Sequence, residues 1–358
     1  MKILFLVPYP LKESPSQRFR FEQYFEILSN AGYHYHVQSF FDSHTWQIFF
    51  KSGKVLTKLG ALLKGIFRRL SILTRLPVYK FIFIHREAMP IGPPVIEWVI
   101  AHVFKKKIIY DFDDAIWLTD RPHESFFLKA VKWRSKVRSI CKWSHQVSCG
   151  NEYLCRYARQ FNPHVVYNPT TIDTEVLHNP KQYTKPAHDD TVVIGWTGSH
   201  STLKYLNEIG NVLARIEKEF PFVRIMIIAD RASQLNLKSL VFRPWTIDSE
   251  IDDLFQFDIG VMPLPDDEWS QGKCGFKALQ YMALEIPAVI SPVGVNRTIV
   301  DDGVNGFLAS SSLEWETHLR KLILDPALRT WIGSRGREKV ISHYSVLSNQ
   351  ETFLALFR

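Results

Sequence analysis

Residues 258–291 read DIGVMPLPDDEWSQGKCGFKALQYMALEIPAVIS. Ile259 to Met262 is a short apolar run closed by the turn Pro263-Leu264-Pro265. A helical pattern then runs from Phe276 to Leu284, and after Ile286-Pro287 a second apolar run covers Ala288 to Ser291. Short apolar runs bounded by Pro and Gly read as buried strands. A helix between two of them crosses over the sheet and sets them parallel, which is one βαβ unit of an α/β fold.

The same alternation extends in both directions. Upstream stand strand Val192 to Trp196, helix Leu203 to Phe220, strands Val223 to Ala229 and Leu240 to Phe242, and helix Asp248 to Phe255. Downstream follow helices Leu313 to Asp325, Pro326 to His343 and Val346 to Phe357. The N-terminal half repeats the scheme with strands Lys2 to Val7, Tyr33 to Phe40, Phe81 to His85, Lys107 to Tyr110, His145 to Ser148 and Val165 to Tyr167. Its helices are expected over Gln17 to Asn30, Pro94 to Phe104 and Glu152 to Phe161. At 358 residues the chain exceeds one ordinary core. The expectation is two Rossmann-like domains, 1–173 and 191–343, with 344–358 crossing back to the first. The polar stretch 174–190, carrying Pro180 and Pro186, is the expected linker.

Nine basic residues lie between Ser43 and Arg86 with no acidic one, and without them the net charge of +8 falls to −1. The excess is therefore one local patch, which speaks against a nucleic-acid-binding protein. Within it Val55, Leu56, Leu59, Leu63, Ile66, Leu70 and Leu73 form one helical stripe. Lys54, Lys58, Lys64, Arg68, Arg69 and Arg75 fall opposite. Two readings stand for residues 51–76: a helix lying in an anionic membrane surface, or one packed on its own sheet with a solvated basic face. Cys141, Cys149, Cys155 and Cys274 have no disulfide or metal spacing and read as small core residues in a reducing compartment. The apolar run Ile3 to Val7 stops at Pro8, too short for a signal or a span. The expected location is cytoplasmic, soluble or peripheral on the inner face of the membrane.

In open parallel sheets ligands bind beyond the carboxyl ends of the strands. Gly195-Trp196-Thr197-Gly198-Ser199-His200-Ser201-Thr202 leaves a strand and opens a helix, so Gly198, Ser199 and Lys204 suit a phosphate; a plain capped turn has the same appearance. Gly272, Lys273, Cys274, Gly275, Phe276 and Lys277 open the helix after Met262, where amides and lysines would neutralise a diphosphate. Trp245, after Val241 to Pro244, is a stacking partner for a base. On the N-terminal side, Asp111, Asp113 and Asp114 follow a strand. They suit a metal, or a cap by Asp111 or Asp114 on a following helix. Arg18 and Arg20, near Pro8-Tyr9-Pro10, suit an anionic acceptor or a donor phosphate, or a solvated helix start. That proline loop lacks the glycines of a dinucleotide fingerprint, which excludes a nicotinamide dehydrogenase.

Lys273 to Ala283, Ile286-Pro287-Ala288-Val289-Ile290-Ser291, Gly294-Val295-Asn296 and Asp302-Gly303-Val304-Asn305-Gly306-Phe307-Leu308, in that order and spacing, resemble family 4 retaining glycosyltransferases. The resemblance implies the GT-B fold, two Rossmann-like domains facing each other across a cleft. It also implies transfer, with retention, from a nucleotide-diphosphate sugar to a glycan or lipid-linked acceptor in polysaccharide or glycolipid assembly, without metal or cofactor. The family's Glu-x7-Glu pair falls on Gly272 and Gln280, so both carboxylates are absent. Gln280 retains a ribose hydrogen bond, and Asp267 or Glu268 are candidates for the sugar contact. In similar sequences the position of Asp113 faces the acceptor and the reacting carbon, which implies that Asp113 orients the acceptor hydroxyl or takes its proton. A GT-B epimerase is the alternative enzyme, but it needs an acid/base pair at the sugar, which the lost carboxylates do not favour; their loss keeps open a non-catalytic sugar-nucleotide-binding protein.

Overall fold

The computed structural model describes residues 1–49, 53, 55–119, 124–125, 131–185 and 190–358. Lys51, Lys54 and Pro186 lie outside them. The chain divides into two compact units, Met1–Thr170 with Asn349–Arg358, and Thr171–Ser348.

The first unit carries β1 (Lys2–Val7), β2 (His34–Ser39), β3 (Phe81–His85), β4 (Lys107–Phe112), β5 (Gln146–Cys149) and β6 (Val165–Tyr167). They pair in parallel in the order β2-β1-β3-β4-β5-β6. Ile3 to Val7 and Phe81 to Ile84 are wholly buried, which is why these strands are unbroken apolar runs rather than alternating ones. The second unit carries β7 (Val192–Gly198), β8 (Val223–Ala229), β9 (Leu240–Pro244), β10 (Ile259–Met262), β11 (Ala288–Ile290) and β12 (Phe307–Leu308). Their order, β12-β11-β10-β7-β8-β9, is the doubly wound dinucleotide order, and that of the first sheet is flavodoxin-like. β1 lies between β2 and β3 and β7 lies between β8 and β10, so the strand order reverses, and the crevices open, at the carboxyl ends of β1 and β3, and of β7 and β10.

Four expectations change. The Thr174 to Lys185 stretch is folded onto the second unit rather than linking two: Arg337 donates to Thr174 O at 3.0 Å and His178 O at 2.8 Å, and Lys185 Nζ pairs with Asp258 at 2.7 Å. Residues returning to the first unit begin at Asn349, not 344, and Phe353 stacks on Tyr24 at 4.2 Å. The single helix expected over Gln17 to Asn30 is three pieces, Pro15–Arg18, Glu22–Tyr24 and Phe25–Asn30, because Gln17 and Arg20 turn inward. β4 runs on to Phe112 and takes Asp111 into the interior.

The helix Val55–Leu73 also faces the other way. Gly65 lies so close to Phe40 that a Cβ would meet its ring at 2.5 Å. Ala61, Gly65, Arg69 and Ile72 form the inner face, and Leu56, Leu59, Leu63, Phe67 and Leu70 are exposed. Arg69 is not solvated: its guanidinium donates to Val7 O, Gln38 O and Ala88 O at 2.6 to 2.8 Å, tying the ends of β1 and β2 to the loop after β3. All four cysteines are buried, and none is in a disulfide.

Candidate active site

At the β7 and β10 ends of the second sheet, the loop after β10 sets the geometry. Leu264 N donates to Ser291 Oγ at 2.9 Å, joining the β10 and β11 exits. Asp267 Oδ1 accepts from Ser270 N at 2.7 Å and caps the short helix Glu268–Gln271. Gly275 then turns the chain with φ +69° into the helix Phe276–Ala283. A Cβ there would stand 2.2 Å from Ile299 Cδ1. Gly294, φ +55°, lets the next loop approach Gln271 O, which a Cβ would meet at 2.8 Å. Lys273 Nζ lies 4.8 Å from the Trp269 ring centroid and Lys277 Nζ 5.3 Å from that of Trp196. Cys274 is buried beside them.

Two buried polar atoms near this helix start, Ser270 Oγ and Asn296 Oδ1, have no hydrogen-bond partner among the described residues. Asn296 Nδ2 donates to Ser291 O at 2.9 Å, which fixes which atom of the amide is the oxygen. Buried unsatisfied groups are rare, and at a strand-end crevice they suit a polar ligand. Neither was among the expected residues.

Gln280 is buried, its Nε2 3.4 Å from His178 Nε2. The Gly198 turn closes on itself, Thr202 N and Oγ1 donating to Ser199 O at 2.9 and 3.0 Å. The expected helix after it begins as a 3-10 segment, Leu203–Ile209, with Lys204 exposed, and becomes α-helical at Gly210. His200, not singled out from sequence, is gripped by Asp230 from the end of β8, through N at 2.5 Å and Nδ1 at 2.6 Å. Trp245 is half-buried after β9, separated from the β7 and β10 ends by β8.

On the first sheet the three aspartates do not converge. Asp111 is fully buried, ion-paired with Arg20 and His85 (Nδ1 2.8 Å) and accepting from Ser148 Oγ at 2.6 Å. Burial opposes its charge, but Arg20 and His85 outweigh that and hold the carboxyl well below the ordinary aspartate value. Arg20 also donates to Asn168 O. The acceptor-side roles expected of Arg20 and Asp111 are therefore corrected: both are interior, because β4 continues two residues further. No α-helix begins within residues 113–119, so the expected capping role of Asp111 or Asp114 goes as well.

Asp113 and Asp114 instead share one arginine. Arg86 Nε donates to Asp113 Oδ1 at 3.0 Å and its Nη2 to Asp114 Oδ2 at 2.7 Å. Burial works against that guanidinium, yet the two carboxylates hold its pKa well above the ordinary arginine value. Arg86 sits at φ +60°, pinned by its N–H to Asp111 O and by Tyr110 Oη donating to its carbonyl, both 2.7 Å. Inspecting the exit of every strand would have found it. Tyr9, from the end of β1, packs against Trp46 with ring centroids 4.5 Å apart and planes tilted by 45°, and burial raises its phenol. Arg18 is half-buried, its guanidinium 5.0 Å from the Phe19 ring. Among the described residues no group of His, Cys, Asp and Glu is arranged to hold a metal ion.

Two doubly wound parallel units, the second with a glycine-opened, lysine-flanked helix start at its switch point, give this chain the fold of the GT-B glycosyltransferases. Residues 191–325 match the family described as Glycosyl transferases group 1. The fold is similar to sucrose-phosphate synthase from Thermosynechococcus elongatus (TM-score 0.68, 13% identity, 100% of this chain and 99% of that one). It is likewise similar to a glycosyltransferase from Rickettsia africae (0.68, 13%, 100% and 98%). Anabaena HepE in complex with UDP-glucose is similar at 0.65 and 15%, with 100% and 99% covered. No curated protein matches the chain.

Proposed function

We propose that the enzyme transfers a glycosyl group, with retention, from a nucleotide-diphosphate sugar to a glycan or lipid-linked acceptor, as in polysaccharide or glycolipid assembly. The observation that carries this is the Gly275 turn, where the first amides of the helix Phe276–Ala283, two lysines, Ser270 Oγ and Asn296 Oδ1 gather at the switch point. A helix start with adjacent ammonium groups neutralises a diphosphate, and it stabilises most where the departing diphosphate gains charge. HepE, of the same fold, binds UDP-glucose, which supports a nucleotide-sugar donor here. Asp113 is the candidate for orienting the acceptor hydroxyl and taking its proton, with Arg86 holding the carboxylate in place. Lysines and amides supply the positive charge in this reading, so no metal is invoked.

Incubation with radiolabelled UDP- and GDP-sugars tests it. Transfer or slow donor hydrolysis, abolished by Lys273→Ala, is the expected result. Isomerised donor would make it an epimerase, and binding without turnover a sugar-nucleotide-binding protein; full activity in Lys273→Ala would remove that lysine from the site.

A further inference from the structure

We infer that the helix Val55–Leu73 is a docking surface for an anionic lipid bilayer, a property independent of the donor assignment. Leu56, Leu59, Leu63, Phe67 and Leu70 recur at steps of three and four, and the fold leaves all five in solvent, Leu56 at 84% and Phe67 at 74% exposure. At 100° per residue they span about an 80° arc along the whole helix. This is a continuous unpartnered stripe, unlike the scattered apolar residues normal on a surface. The inner face is already fixed by Gly65 on Phe40 and by Arg69 on three strand exits, so the stripe cannot turn inward without dismantling them.

Charge selects the occupant. Beside the stripe run Lys64, Arg68 and Arg75, and exposed Lys80 and Val78 follow the helix. Asp42 pairs with both Lys64 (2.7 Å) and Arg68 (3.3 Å), and one carboxylate cannot balance two cations. No acidic residue occurs from Ser43 to Arg86. A second copy docking stripe to stripe would bring like charges together. A bilayer with anionic headgroups accepts the leucines below its surface and pairs the flank above it. A cavity of about 420 Å³ lined by His36, Gln38, Ser71, Ile72, Thr74 and Arg75 adjoins the flank, with hydroxyls and a guanidinium suited to a headgroup phosphate.

The test is co-sedimentation of the full chain with phosphatidylcholine vesicles containing or lacking phosphatidylglycerol, at low and high salt, beside light scattering of the protein alone. Binding should need phosphatidylglycerol and weaken with salt. Leu63→Ser/Phe67→Ser should lose on the order of 100-fold in partitioning, about tenfold per buried side chain, while Leu313→Ser, exposed in the other unit, loses nothing. Circular dichroism and donor turnover should be unchanged in all variants. Absence of binding to anionic vesicles at low salt, full binding by the double variant, or a dimer that the double variant abolishes would each overturn the inference.

Discussion

Lys277 Nζ stands 5.3 Å from the centroid of the buried Trp196 ring, linking the first turn of the helix Phe276–Ala283 to β7. The indole face holds the ammonium at the switch point before any donor arrives, so little side-chain entropy remains to be lost on binding. Lys277→Met should raise KM for the nucleotide sugar about 10- to 100-fold, the worth of one charge-assisted contact. Trp196→Leu should weaken binding less, since the charge stays. Steady-state kinetics over a donor series measures both, and an unchanged KM in Lys277→Met would detach this lysine from the phosphates.

Gly275→Ala separates backbone strain from steric conflict. At φ +69° an L side chain costs about 1–2 kcal/mol, and the new methyl also meets Ile299 Cδ1. Adding Ile299→Ala should recover only the steric part beyond its own cavity cost, leaving the backbone cost. Urea unfolding of the two single variants and the double gives the coupling directly. A fully additive cycle would mean that the helix start shifts to avoid Ile299.

Asp111 makes a pH prediction whose sign follows from its depressed pKa. In the unfolded chain it titrates near an ordinary aspartate, at about 3.9, and in the folded chain well below that. Its stabilising contribution is therefore full above about pH 4–5 and is lost as pH falls toward the folded value. Asp111→Asn leaves Arg20 buried without its counter-charge and should cost about 3 kcal/mol or more at pH 7. The gap between wild type and variant should narrow below about pH 4. Urea titrations at pH 7, 5, 4 and 3 decide it, and a pH-independent gap would contradict the assignment.

How far the sequence can be read follows from the same chemistry. β1, β3, β6, β8 and β10 start and stop at the expected residues, and in β3 and β10, buried along their whole length, the boundary is legible because a strand covered on both faces must be apolar throughout. Gln17, Arg20 and Asp111 broke that rule: each is polar yet interior, and only partners up to 148 residues away make burial tolerable. The helix Val55–Leu73 was legible as amphipathic, but periodicity does not say which face meets the sheet; the close approach of Gly65 to Phe40 decides that. At the start of the helix Phe276–Ala283, Gly275, Lys273 and Lys277 come from one contiguous stretch. His200 with Asp230, and Ser270 with Asn296, could not, since separate strand exits bring them to this edge.

Arg86 tests whether the first sheet has a chemical role. Its φ of +60° is strained for arginine and natural for glycine, so Arg86→Gly removes the guanidinium and the strain together, while Arg86→Ala removes only the guanidinium. The glycine variant should be the more stable of the two by about 1 kcal/mol. Both deprive Asp113 and Asp114 of their shared arginine, leaving two adjacent carboxylates to repel each other and Asp113 to lose its orientation. kcat should fall by about tenfold or more in each, with donor KM nearly unchanged because the phosphates are assigned elsewhere. Millimolar guanidinium should restore part of kcat in Arg86→Gly and none in Lys273→Ala. If Arg86→Gly loses stability but keeps its kcat, the clamp is structural, and Asp113 is not the group that meets the acceptor.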